Sequence, residues 1–392
     1  MMSALLQVWC SLFIFSVADS GSTGTPQSTV ASSPAPSAPN FGSTIFDSGL
    51  TDQARIYAGM MPLNPLHYSN LTSTNAWQQH RKIFEDNWTK LNRRLQAMSV
   101  WRDSALAGIS MDGATLFYPF SGPDFLNADI FFPECEKSVY LSLEGAGSIP
   151  STDMSEAHLN SFLEDIRAAM AEIFERNYFI TSYMNKDFYT PYLKGNLTAF
   201  MIFLARRNCA IVSIEKIHID SAGKLVNAPA DTGIAGRKDI SGIEIQYITE
   251  KKGSVHSLFY FPVDIQDKSL KLKPQFQTFL GTMSDMITFT KAASYCMHGS
   301  DFSIIRGICL RAKAVLEDDT GIPYRFFKQN EWEVSFYGRY TKPVKDFHYG
   351  FQADLDSAYR FGKNVKPLPY SIGYHWRDGF SSFILAIRKG MQ

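Results

Sequence analysis

Residues able to carry chemistry are sparse in this chain, and four short segments concentrate them. The first is Tyr118-Pro119-Phe120-Ser121-Gly122-Pro123-Asp124, where an apolar run turns into a helix signal. Asp124 can serve over a helix N-terminus, whose free backbone N–H groups hold anions, or it can simply cap the helix dipole. The second is Glu144-Gly145-Ala146-Gly147-Ser148. It resembles half of a dinucleotide-binding turn, but the third glycine is missing and Ile149-Pro150 interrupts the helix such a turn needs. Glu144 is left as a carboxylate at a strand end.

The third segment, Lys291 to His298, follows another apolar run. Read as a helix, it places Lys291, Tyr295 and His298 on one face, a grouping suited to proton transfer or, equally, to an ion pair and a helix end. The fourth is Glu317-Asp318-Asp319-Thr320-Gly321-Ile322-Pro323-Tyr324-Arg325. Three consecutive carboxylates are costly unless solvated, paired or metal-bound. Their spacing fits neither a calcium loop nor a phosphoryl-transfer aspartate motif. Arg325 is expected to pair with one acid and fix it. The plain alternative is an Asp-rich turn with Gly321 at positive φ.

Several chemistries lack their signatures. No Gly-x-Ser-x-Gly, His-Glu-x-x-His, P-loop or complete Gly-x-Gly-x-x-Gly occurs, and the eight histidines form no ligand-spaced pair. No cofactor and no metal site are therefore expected. Lysine plus arginine equals aspartate plus glutamate at 38 each, which removes the electrostatic basis for broad nucleic-acid binding.

The elements that must position these segments alternate between helix and strand. Ser73 or Thr74 can cap a helix running to about Arg102, and 155–176 has its apolar residues on one face. Helices are also expected after Pro123 and over 190–207, 302–314 and 351–361. Strands are expected at 115–120, 138–143, 209–219 with a short return strand, 242–249, 255–261, 285–290, 314–318, 332–340, 370–375 and 380–388. A polar loop spans 227–241, and 242–261 looks like a hairpin around Glu250–Ser254. This order predicts a layered α/β fold with a mixed, partly antiparallel sheet and helices packed on its faces. Ligands of open α/β sheets lie beyond the carboxyl ends of the strands, which is where all four segments fall.

Residues 4–17 form an apolar run of signal-peptide length, too short to span a bilayer, followed by Ala18-Asp19-Ser20-Gly21. Residues 1–20 are thus expected to be a signal peptide, despite an n-region without lysine or arginine, and cleavage and retention as an anchor both stay open. Residues 21–45 are rich in Ser, Pro, Thr and Ala and predict a disordered tether, leaving 46–392 as one mixed α/β domain. Beyond the signal no membrane-spanning segment is expected. The product would be periplasmic, envelope-associated or secreted. In such a compartment Cys135, Cys209, Cys296 and Cys309 can form two disulfides or remain buried thiols. Asn70, Asn87 and Asn196 open glycosylation sequons.

Residues 118–124 (YPFSGPD) and 317–327 (EDDTGIPYRFF) resemble segments of an uncharacterised family of exported bacterial proteins, with looser likeness over about 75–388. The resemblance implies no activity, only that the two turns belong together. Two functions are expected on the residues themselves. One is an extracytoplasmic hydrolase or transferase with a pocket of Asp124, Glu144, Asp318, Asp319 and Arg325. The other is a non-catalytic envelope protein that binds a glycan, peptide or protein partner through exposed Tyr324, Tyr337, Tyr340, Tyr374 and Trp376.

Overall fold

The computed structural model describes residues 41, 44–228, 240–250, 254–362, 364–377 and 380–390. The expected signal peptide, nearly all of the tether, most of the 227–241 loop and the 251–253 turn lie outside these residues.

The first half of the chain runs α1 (Ser48–Tyr57), α2 (Ser69–Thr72), α3 (Asn75–Ala105), β1 (Thr115–Tyr118), α4 (Phe125–Phe131), β2 (Lys137–Ser142), α5 (Glu156–Arg176), α6 (Thr181–Asp187) and α7 (Leu197–Arg206). It continues through β3 (Cys209–Ile219), β4 (Leu225–Asn227), β5 (Ile240–Thr249), β6 (Val255–Pro262), α8 (Asp267–Lys271), α9 (Pro274–Thr282) and β7 (Met286–Thr290). The chain closes with α10 (Ser303–Cys309), β8 (Ala314–Glu317), β9 (Trp332–Gly338), α11 (Ala353–Phe361), β10 (Val365–Lys366) and β11 (Ser382–Arg388).

All the described strands join one sheet in the order β10-β9-β11-β8-β7-β1-β2-β6-β5-β3-β4. Its centre, β8-β7-β1-β2-β6, is parallel. Antiparallel pairs flank it: β8 with β11 and β11 with β9 on one side, β6 with β5 and β5 with β3 on the other. The fold is the expected layered α/β arrangement with a mixed sheet. The central strands are short apolar runs, such as Met286–Thr290, buried on both faces, as parallel strands must be when helices cover them.

Side-chain alternation sends successive residues to opposite faces. Leu116, Tyr118, Ile287, Phe289 and Leu316 pack under Leu95, Trp101, Phe131, Phe162 and Phe200 of α3, α4, α5 and α7. Phe117, Met286 and Val315 pack on the other face with Leu270, Phe276, Leu280, Ile305 and Cys309 of α8, α9 and α10. Local signals set the helix ends. The Thr74 hydroxyl accepts from Trp77 N at 3.2 Å to start α3, and left-handed Asn177 closes α5. Among the described residues no helix is long and apolar enough to cross a membrane.

Some elements differ from expectation for local reasons. The helix over 190–207 starts only at Leu197, because Pro191 and Gly195 break the preceding chain. The helix over 302–314 shortens to Ser303–Cys309. Residues 370–375 form no strand; Gly373, at φ 67, opens a single 3-10 turn there. Asn196 is fully buried and donates through Nδ2 to the Tyr260 hydroxyl at 2.7 Å, so its sequon is closed to a glycan in the folded chain.

No disulfide joins Cys135, Cys209, Cys296 and Cys309. Burial pushes the Cys296 thiol up to about 11 and the Cys209 and Cys309 thiols above their ordinary range. A reductant should therefore leave the thermal unfolding midpoint unchanged. A fall of several degrees on adding dithiothreitol would reveal a stabilising disulfide after all.

Candidate functional site

Strands β8, β7 and β1 lie side by side and parallel, so the segments leaving their carboxyl ends share one edge of the sheet. The register pairs Thr290 with Glu317. Lys291 and Asp318 are the next residues, and alternation places them on the face of Phe289 and Leu316, under α4 and α5. Glu317 goes to the opposite face. There it accepts from Ile322 N at 2.8 Å and Thr290 Oγ1 at 3.3 Å, and burial raises its carboxyl well above the usual range.

Lys291 and Asp124 form the centre of the cluster. The Lys291 ammonium lies 2.9 Å from Asp124 Oδ2 and donates to the Asn177 carbonyl at 2.6 Å. Both side chains are almost fully buried, at 1% and 2% exposure. Asp124 Oδ2 also accepts from the Tyr118 hydroxyl at 2.9 Å, while Oδ1 accepts from Asn127 N at 3.3 Å and Nδ2 at 2.7 Å. Asp124 thus caps α4 and holds a lysine with the same carboxylate. Burial lowers the lysine pKa, against the opposing pull of Asp124.

Asp318 and Asp319 stand beside this pair. Asp318 Oδ2 accepts from Ala292 N at 2.9 Å, and Oδ1 accepts from Thr320 N at 3.0 Å. Asp319 Oδ2 accepts from the Tyr295 hydroxyl at 2.6 Å, and Oδ1 accepts from Ser382 Oγ at 3.1 Å. Burial, then repulsion from Asp319, raises Asp318 to about 7. Burial also raises Asp319, against its hydrogen bond from Tyr295. Two buried carboxyls this close titrate as a unit.

The segment 291–298 forms only a 3-10 turn at Cys296–His298, so Lys291, Tyr295 and His298 do not share a helical face. Ala292, Ser294 and Tyr295 sit in the left-handed region at φ 49, 53 and 56, and Phe120, after β1, does so at φ 60. Residues other than glycine are held there at a cost of about 1–3 kcal/mol each. Long-range bonds hold them: Ala292 N to Asp318, Ala293 N to Thr320 Oγ1 at 2.7 Å, and the Tyr374 hydroxyl to Ala292 O at 2.9 Å. Gly321 is not at positive φ either. It is glycine because a Cβ would stand 2.3 Å from Glu317 Oε2. Gly373 has the same role on the other face, where a Cβ would stand 2.2 Å from Asp318 Oδ2.

Two candidates, Glu144 and Arg325, fall outside this network. Glu144 is buried beyond β2, where its carboxylate accepts from the Ser142 hydroxyl and its carbonyl from the Tyr260 hydroxyl. The glycine turn it opens is a packing device: a Cβ on Gly147 would stand 1.8 Å from Lys194 O. Arg325 forms no ion pair with an acid among the described residues. It donates to His298 O at 3.2 Å and lies over the Phe326 ring, because the turn at Gly321–Pro323 carries it away from the carboxylates. His298 borders the network: it stands edge-to-face with Tyr295, and burial together with Arg325 lowers it to about 4 against a hydrogen bond to the Asp319 backbone.

Five residues of the cluster were not singled out from the sequence: Tyr118, Asn127, Asn177, Ser382 and Arg94. Arg94 on α3 acts electrostatically on Asp124 and Lys291, and burial lowers it to about 10. Asn127 and Asn177 carry helix-end signals, three residues past the Asp124 cap and just past α5. Arg94 carries none, because it sits in mid-helix. The aromatic residues expected to be exposed are not: Tyr337 and Tyr340 are buried, and Tyr324, Tyr374 and Trp376 are half-buried. Among the described residues no group of His, Cys, Asp and Glu could hold a metal ion. No protein-family model, curated protein or solved structure matches the chain.

Proposed function

We propose that this chain is an exported enzyme of hydrolase or transferase type whose proton-handling group is the Asp318–Asp319 pair. The observation that carries the reading is the placement of this pair. It lies at the carboxyl edge of three adjacent parallel strands, beside a buried lysine and a backbone held in left-handed conformations. Strain and shifted carboxyls concentrate at sites that do chemistry. A carboxyl raised to about 7 is divided between its two protonation states near neutrality, which suits general acid–base work. Lys291 and Asp124 hold the neighbouring turn in place, and Tyr295 positions Asp319.

The acids are 2% and 5% exposed, and Gly373 packs directly on Asp318. The export half of the reading rests on residues 1–45 alone. The reaction is tested with a panel of chromogenic esters, phosphate esters and glycosides. Turnover of one class should be lost in Asp318→Asn and in Asp319→Asn, and kept in Glu317→Gln, whose carboxyl faces the other side of the sheet. Turnover retained by both aspartate variants would refute the assignment.

A further inference from the structure

A second feature lies on the same carboxyl edge of the sheet, two strands further out, where the register sets Gly338 of β9 against Ser382 of β11. Gly338 ends β9 at φ 79, where a Cβ would stand 2.1 Å from Ser381 O, and it turns the chain out of the sheet. Residues 338–342, Phe351 and α11 line a cleft of about 380 Å³. That volume is at the small end of ligand cavities.

Rings form part of the cleft wall. Tyr340 and Tyr359 stand with centroids 6.0 Å apart, and Phe351 stacks on Tyr340 at 6.0 Å and 23°. Their polar tips are occupied: Tyr359 donates to the Tyr337 and Phe383 carbonyls at 3.1 Å, and Tyr340 Oη accepts from Gln352 N at 2.8 Å. Three cations, Arg339, Lys342 and Arg360, share the lining with one carboxylate, Asp356. Arg360 pairs with Asp356 at 3.0 Å. The Arg339 guanidinium lies 4.8 Å over the Phe380 ring, and neither Arg339 nor Lys342 forms an ion pair with a described acid. In a chain of formal net charge zero, two cations left over beside aromatic faces make a local positive field with a surface to stack on.

We propose that this cleft binds a small anion of the carboxylate or phosphate class that carries a planar or sugar-like ring. The head group takes hydrogen bonds from Arg339 and Lys342, and the ring lies against Phe351, which is 43% exposed and backed by Tyr340. The proposal stands whether or not Asp318 and Asp319 do chemistry.

Isothermal titration at low ionic strength with phenyl phosphate, benzoate and inorganic phosphate tests it. Phenyl phosphate or benzoate should bind the wild-type chain at one site, more tightly than inorganic phosphate. The Arg339→Gln/Lys342→Gln variant should bind it about tenfold more weakly or worse, since two charge-assisted hydrogen bonds are lost. Both residues are exposed at the surface, so the fold should survive, as an unchanged unfolding midpoint would verify. Lys345→Gln, outside the lining, should bind as wild type, and so should Asp318→Asn, which separates this site from the acids. The better of the two ring-bearing probes identifies the head group. No binding at millimolar probe, an unweakened double variant, or an equal loss in Lys345→Gln would overturn the proposal. Inorganic phosphate binding as tightly as both ring-bearing probes would overturn the ring contact.

Discussion

Replacing Lys291 with methionine should destabilise the protein by about 3–5 kcal/mol, because buried Asp124 would lose the ammonium 2.9 Å away and keep only the charge of Arg94, which makes no ion-pair contact with it. The remaining donors on that carboxylate, Tyr118 and Asn127, are neutral and cannot replace an ammonium in a dry setting. Asp124→Asn should cost a similar amount from the other side, since it leaves a buried ammonium facing the Asn177 carbonyl in place of a carboxylate. The cap itself would survive in that variant, because the amide oxygen of the new side chain can still accept from Asn127. The informative measurement is the combination. Asp124→Asn with Lys291→Met removes both charges, and guanidinium unfolding should give a loss well below the sum of the single losses. Strict additivity would mean that the two charges do not stabilise one another.

The second large effect is a pH dependence of unusual sign. An ordinary aspartate is ionised above about 3.8, whereas Asp318 holds its proton to about 7. Between those limits the folded chain keeps a proton that the unfolded chain has released. Stability from this group is therefore fully present below about pH 4, declines as pH rises towards 7, and is flat above. At about 1.4 kcal/mol per pH unit the decline from Asp318 is on the order of 4 kcal/mol. Glu317 and Asp319 shift in the same direction and add to the slope. Urea unfolding at intervals from pH 4 to 8 should show wild type losing ground steadily to Asp318→Asn across the window, with Asp319→Asn also flattening the slope. Parallel curves for wild type and both variants would show that the carboxyls ionise normally.

Much of this site was legible residue by residue, and its assembly was not. Short apolar runs marked β1, β7 and β8, and the four polar turns after strands were visible as such. What no local pattern carries is which strands are neighbours; only the sheet order brings Asp124, Lys291 and Asp318 to one edge. The error at 291–298 has the same origin. Its spacing satisfies a helix, but Ala292, Ser294 and Tyr295 are held left-handed by bonds to residues 24 to 82 positions away in the chain. Arg325 misled by proximity: seven residues from Asp318 in sequence, it was turned outward by the intervening Gly-Ile-Pro. Arg94 and Asn177 lie far from the acids in sequence, so only the packing of α3 and α5 on the sheet reveals them.

The position of β11 has a consequence for how the molecule is made. This strand follows every other described strand in the chain, yet it lies inside the sheet, between β8 and β9. Chains emerge from the ribosome at about 5–20 residues per second and tend to fold from the N-terminus. Here the slot between β8 and β9 cannot close until residues 382–388 have emerged. Ser382, which donates to Asp319, arrives with them. A nascent chain is thus held short of this sheet until residues 382–388 are made, and the acid pair acquires the Ser382 donor only then.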